Sequence, residues 1–203
     1  MRRRIFSHSW FWKSSQGVKM SVIFLDLETT GLSEQYCSIL EIAALYVEDG
    51  VIKAQFHEYI NPGKPIPTAV SAINGIYDRD VANCRREKEV LESFVEWCEG
   101  LGVKKIIAYN APFDMRFLRG RSDICYVKGH PFHTIEVEDG LKLARDVIKQ
   151  GKLFTRPLPN GQGKTGGAKQ EQVAAALGIT YNPHNALEDT LALYKIYFKL
   201  KEL

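Results

Sequence analysis

Apolar residues recur at two different spacings along this chain, and the spacings mark out its elements. Over 21–27 the run Val22, Ile23, Phe24, Leu25 is continuously apolar, the composition of a strand buried on both faces. A second strand is predicted over 39–47. Asp49-Gly50 is a strong hairpin turn, so a third strand over 51–60 is expected to run antiparallel to the second. Pro62, Gly63, Pro65 and Pro67 make a rigid loop before a short helix over 68–73. The spacing then turns helical, with Val90, Leu91, Phe94, Val95 and Trp97 along one face of 87–99. A short buried strand over 106–109 leads to Asn110, read as the cap of a helix that tolerates Pro112 in its first turn. A strand over 132–135 and helices over 139–148 and 170–177 follow, separated by a glycine- and proline-rich loop over 151–168 that holds Pro157, Pro159 and Lys164. Asn185 and Glu188 have capping-box spacing and start the last helix. Leu187, Leu191, Tyr194 and Phe198 form one apolar stripe on it, and Leu193, Ile196 and Leu200 another.

Polar residues that break this pattern carry the candidate chemistry. The first strand ends in Asp26-Leu27-Glu28. Side chains alternate along a strand, so both carboxylates project from one face and converge. Two buried anions side by side are costly, and a divalent cation between them removes the cost. Thr29, Thr30 and Gly31 are expected to turn the chain sharply there and leave backbone N–H groups near the bound species. A strand end with two solvated acids explains Asp-x-Glu equally well, so partners elsewhere must decide. Asp114 falls in the first turn of the helix after Asn110. His184 and Asp189 flank the start of the last helix. Either aspartate alone is explained by the helix dipole, but four acids and one histidine together make an intensely anionic pocket unless cations occupy it.

Composition narrows the class. With 203 residues, 45% of them hydrophobic, the chain has the size of one ordinary globular domain. Five of the 27 basic side chains (Arg2, Arg3, Arg4, Lys13, Lys19) lie in residues 1–19 with no acid, leaving 22 against 24 acids, a net of −2. The body is therefore not a generally basic nucleic-acid binder, and local patches and metal ions must do any such binding. Residues 1–19 lack the apolar core of a secretory signal. They read as a transit peptide, as residues before a true start at Met20, or as a basic arm. The preferred division is a dispensable, flexible extension over 1–19 and one catalytic domain over 20–203. Cys37, Cys84, Cys98 and Cys125 are scattered, which suits a reducing, cytoplasmic setting. Cys125, His130 and His133 form a fragment of a zinc pattern without a fourth ligand at convincing spacing, and no zinc is expected from it. No run is long enough to span a membrane.

Taken together, Asp-Leu-Glu-Thr-Thr-Gly-Leu at 26–32, Tyr-Asn-Ala-Pro-Phe-Asp at 109–114 and His-Asn-Ala-Leu-Glu-Asp at 184–189 resemble the three motifs of the DEDDh 3′–5′ exonucleases, such as the proofreading epsilon subunit of bacterial DNA polymerase III and stand-alone enzymes like it. The resemblance covers 20–203. It implies an α/β, ribonuclease H-like mixed five-stranded sheet, second strand antiparallel, with helices on both faces. It implies two Mg²⁺ or Mn²⁺ ions held by Asp26, Glu28, Asp114 and Asp189, with Asp26 bridging, and His184 as general base. Thr29, Leu32, Ile76 and Phe113 would line the slot for the 3′-terminal nucleotide, beside Asn74 and Asn110. Asn74 stands where many members have His, which bears on the terminal nucleotide rather than on the metals. The chain ends at Leu203 without an epsilon-type polymerase-binding tail, so a stand-alone or trimming role is expected ahead of a stable partnership with a DNA polymerase.

The expected reaction is release of nucleoside 5′-monophosphates from single-stranded or frayed 3′ ends of DNA. The same chemistry on RNA is the nearest alternative, because sugar choice depends on contacts to the 2′-OH. Endonuclease action and a non-catalytic, nucleic-acid-binding accessory domain are the others.

Overall fold

A computed structural model describes residues 21–156 and 167–203. The predicted extension over 1–19 and the part of the 151–168 loop with Pro157, Pro159 and Lys164 lie outside the described residues.

Among the described residues, five strands make one mixed sheet: β1 (Ser21–Thr29), β2 (Ile39–Glu48), β3 (Val51–Tyr59), β4 (Lys105–Ala108) and β5 (Glu136–Asp139), in the order β3-β2-β1-β4-β5. β2 runs antiparallel to β1 and β3, while β1, β4 and β5 are parallel. The helices are α1 (Thr68–Asn74), α2 (Asp78–Val81), α3 (Glu87–Gly100), α4 (Ala111–Ile124), α5 (Gly140–Lys149), α6 (Gln170–Ala176) and α7 (Ala186–Lys201). This is the ribonuclease H-like sheet that the motifs imply. No helix among the described residues is long and apolar enough to cross a membrane.

Alternation along β1 positions everything that follows. Ile23, Leu25 and Leu27 enter one core with Phe94 of α3 and Phe117 of α4. Val22 and Phe24 enter the opposite core with Leu193 and Tyr197 of α7. Phe24 meets Tyr194 and Tyr197 edge-on, with ring centroids 5.6 and 5.3 Å apart. Burying one such side chain contributes about 1.5–3 kcal/mol. The two-residue period then puts Asp26 and Glu28 on the α7 face. The second stripe of α7 packs elsewhere, with Ile196 and Leu200 against Val147 of α5 and Val173 of α6. The helix is thus held on two sides, as its stripes predict, except that Leu193 joins the first side.

Three expectations need correction. The strand expected over 132–135 is a 3₁₀ turn, Pro131–His133, and the strand lies at Glu136–Asp139. Phe132, fully buried in the core, imitated a strand signal, whereas the real strand sits at the sheet edge and needs no apolar run. Asn110 occupies the N-cap position of α4 at φ +64, but its side chain makes no capping bond. Asp139 caps instead, its Oδ1 accepting from Asn110 N (3.0 Å), Ala111 N (3.3 Å) and Leu141 N (3.0 Å). The turn after Glu28 also starts later than expected. β1 pairs through Thr29, and Thr30 N donates to Ser38 O, so that N–H is spent on the fold.

Candidate metal-dependent active site

The carboxylates at the end of β1 meet the start of α7. Oxygens of Asp26, Glu28 and Asp189 lie within 4.8 Å of one another. Asp114 enters from α4, 3% exposed, its carboxylate accepting from Leu27 N and from its own N–H. Asp26 remains partly open to solvent at the cleft while protein surrounds its other sides. Burial pushes its pKa well above the carboxylate range, and Asp114, Asp189, Glu28 and Glu41 push further in the same direction. Burial, then Glu41 and Asp189, raises Glu28 to about 7 against a hydrogen bond from Asn74. Burial likewise raises Asp114, and raises Asp189 to about 6. Among the described residues, no lysine, arginine or histidine forms an ion pair with any of the four. Such a cluster is short of positive charge, and an all-oxygen donor set suits a hard divalent cation.

Asp189 is held on both oxygens. Oδ2 accepts from His184 N (2.7 Å) and Asn185 N (3.2 Å), and Oδ1 accepts from Gln170 Nε2 (3.2 Å). Asn185 Oδ1 caps α7 by accepting from Glu188 N (3.0 Å), as the sequence predicts. His184 is exposed and has φ +65, a left-handed conformation that a non-glycine residue rarely adopts. The hydrogen bond from its own N–H to Asp189 sustains that conformation.

The residues expected to line the nucleotide slot sit in different settings. Leu32 is 80% exposed on the rim, its carbonyl accepting from Arg116 Nη2 (2.9 Å), and Arg116 lies over the Phe113 ring at 5.6 Å. Thr29 is buried and its Oγ1 donates to Gly31 O at 2.7 Å. Ile76 packs among Leu40, Ile66 and Val81, so its side chain belongs to the core and not to an open wall. Asn74 Oδ1 accepts from Ile76 N (3.0 Å), which directs its amide NH₂ toward Glu28. Its contact therefore bears on a cluster acid. A groove lined by Tyr109, Asn110, Arg145, Lys169, Gln170 and Asp189 opens beside the cluster.

Sequence reasoning missed a fifth acid. Glu41 of β2 sits directly across from Glu28 and is fully buried. Its Oε1 pairs with His57 Nε2 at 2.7 Å, and its Oε2 accepts from Ala186 N at 3.2 Å, the first residue of α7. The buried hydroxyl of Tyr181 sits beside Asp189 outside strict hydrogen-bond geometry. Only the β1–β2 and β2–β3 registers reveal the Glu41 grouping, and sequence periodicity does not supply them.

Similarity to known proteins fits this geometry. A profile of the exonuclease family, RNase T type, matches residues 23–197. The chain belongs to the exonuclease family. It is a 3′–5′ exonuclease domain of the DEDDh type. The PolC-type DNA polymerase III of Streptococcus sanguinis is 34% identical over 131 residues, 64% of this chain and 8% of that protein. That of Thermotoga petrophila is 31% identical over 182 residues, 89% of this chain and 12% of that protein. The exonuclease chain thus spans a small part of these relatives. Among solved structures, apo Exonuclease I superposes with a TM-score of 0.74 at 19% identity, over 91% of this chain and 42% of that one. A 3′-exonuclease recognising a histone mRNA stem-loop gives 0.70 at 17%, over 90% and 64%. E. coli Exonuclease I with a dA16 oligonucleotide gives 0.72 at 19%, over 90% and 40%. These three establish the shared fold.

Proposed function

We propose that this exonuclease domain, spanning residues 20–203, releases nucleoside 5′-monophosphates from the 3′ ends of single-stranded or frayed DNA, using Mg²⁺ or Mn²⁺. The convergence of Asp26, Glu28 and Asp189, with Asp114 buried behind them, carries the reading. Two such cations would neutralise the charge building on the attacking and leaving oxygens. The four acids hold them. His184, placed beside Asp189 just before the start of α7, accepts the proton of the attacking water. Arg145 and Lys169 in the adjoining groove give the sugar–phosphate strand a cationic path. DNA is preferred because the PolC-type relatives belong to a DNA polymerase. A DNA polymerase is accordingly the protein partner the relatives bring into view.

RNA remains the second reading, supported by the fold shared with the histone mRNA exonuclease. The test incubates 5′-labelled and 3′-labelled DNA and RNA oligonucleotides with the protein and Mg²⁺. A ladder from the 5′ label, mononucleotide from the 3′ label, and faster loss of DNA are expected. Digestion of circular single strands would refute exonuclease action, and faster loss of RNA would reverse the substrate. His184→Ala should slow hydrolysis greatly while oligonucleotide binding persists. Near-normal turnover in His184→Gln would remove the base assignment.

A further inference from the structure

A second group of ligating side chains lies at the far end of α4 from Asp114. Asp123 occupies the last turn of that helix, His130 precedes the 3₁₀ turn that follows, and His133 ends it. The connecting loop doubles back through two left-handed residues, Tyr126 (φ +55) and Gly129 (φ +71). His130 Nε2 stands 2.9 Å from Asp123 Oδ1, and His133 Nε2 stands 3.1 Å from Oδ2 and 3.3 Å from Oδ1. One ligand atom from each residue falls within 4.8 Å of the other two. We propose that Asp123, His130 and His133 form a metal site separate from the carboxylate cleft, one that takes a borderline d-block cation such as Zn²⁺.

Several observations converge on this. Ligands about 2.0–2.1 Å from a tetrahedral ion stand roughly 3.3 Å apart, so the two histidine–aspartate spacings require shifts of only a few tenths of an ångström, and the two imidazoles already lie within 4.8 Å of each other. The His130 side chain is 7% exposed and stacks on Phe132 with centroids 5.4 Å apart, which fixes one ligand in the core. Its Nδ1 is buried, and Nε2 is the nitrogen that faces Asp123. Asp123 and His133 are 54% and 55% exposed, which leaves an entry path and a free coordination position. The C-terminal end of a helix also favours positive charge. Cys125 does not take part. Its Sγ lies 3.8 Å from Glu87 Oε2, so Asp123 takes the place that the sequence pattern gave to the cysteine. Two nitrogens and one oxygen select zinc over magnesium, the reverse of the all-oxygen cleft. A bound ion would clip the end of α4 to the segment that enters β5.

The test loads the full chain with Zn²⁺ in excess Mg²⁺, removes unbound metal by gel filtration, and measures zinc per chain and the thermal midpoint. One retained zinc and a raised midpoint are expected. Asp123→Ala and His133→Ala, whose side chains are exposed and can be removed without opening the core, should lose both effects. Asp26→Asn should keep them. Substitution with Co²⁺ should give a visible absorption band that His133→Ala abolishes. The proposal is overturned if wild type retains no zinc, if the two alanine variants retain as much as wild type, or if the retained zinc vanishes in Asp26→Asn instead.

Discussion

Asp26 and Glu28 share a strand face yet differ in what surrounds them. Asp26 is pressed by every other acid of the cluster, with Asp114 and Asp189 foremost. Asp26→Asn keeps the shape and removes the charge that would hold cations. The rate should fall about a hundredfold or more, the effect of a few kcal/mol of lost transition-state stabilisation. Folding should survive or improve, because the substitution relieves repulsion in the metal-free cleft. Rate and thermal midpoint measured together check this, and near-wild-type cleavage would overturn the two-metal reading. Glu28 makes a pH prediction. The fold keeps its proton up to about 7, where the unfolded chain releases it near 4.5. Stability from this group is therefore complete below the lower value and is lost as pH rises through the upper one, by at most about 3 kcal/mol in metal-free protein. Unfolding in chelator across that window should show a decline that Glu28→Gln flattens; parallel slopes would contradict it. Both residues were legible in the sequence because strand alternation needs no tertiary knowledge. Glu41 was not, since a lone acid inside an apolar strand looks like an exposed position until His57 and the start of α7 close around it.

Helix starts deliver the other two acids, and their capping shows where one-dimensional reading stops. Asn185 caps α7 through its own side chain, so its capping signal lies within four residues and was readable. The cap of α4 comes from Asp139, 28 and 29 residues away from the N–H groups it accepts. A parallel β4–β5 pair brings that residue into place, and the edge strand carrying it has no apolar run to announce it. Asp139 thereby joins the start of α5 to the turn that aims Asp114. Asp139→Ala should destabilise the protein by about 1–2 kcal/mol, a typical lost cap. It should also reduce the rate more than that stability loss explains, because Asp114 sits in the first turn of the helix it anchors. Asp139→Asn, which keeps the acceptor oxygen, should recover most of the activity. Denaturant midpoints beside single-turnover rates distinguish the effects, and full activity in Asp139→Ala would show that α4 needs no such anchor.

At the scale of the molecule, order of elements and topology were readable because the three motifs occur in their expected order and each falls at a strand end or helix start. Charge supplies the remaining prediction. The body from Met20 onward carries a net −2, and its cleft is strongly anionic, whereas residues 1–19 carry five basic side chains and no acid. Polynucleotide attraction should then come from three sources: cations in the cleft, which bind the reacting phosphate, Arg145 and Lys169 in the adjoining groove, and the basic stretch, which acts at longer range. Removing residues 1–19 should leave the turnover rate unchanged, because none of the clustered acids or His184 lies there. It should weaken oligonucleotide binding at low salt and flatten its salt dependence. Each phosphate neutralised on a single strand contributes about 0.7 to the slope of log affinity against log salt, so five charges account for at most ~3.5. Binding is measured with Ca²⁺ replacing Mg²⁺, whose looser coordination should allow a 3′ end to bind with little cleavage. Equal slopes for the full chain and the chain from Met20 would show that the basic stretch does not touch nucleic acid. A folded chain from Met20 that has lost nearly all turnover would place that stretch within the active site.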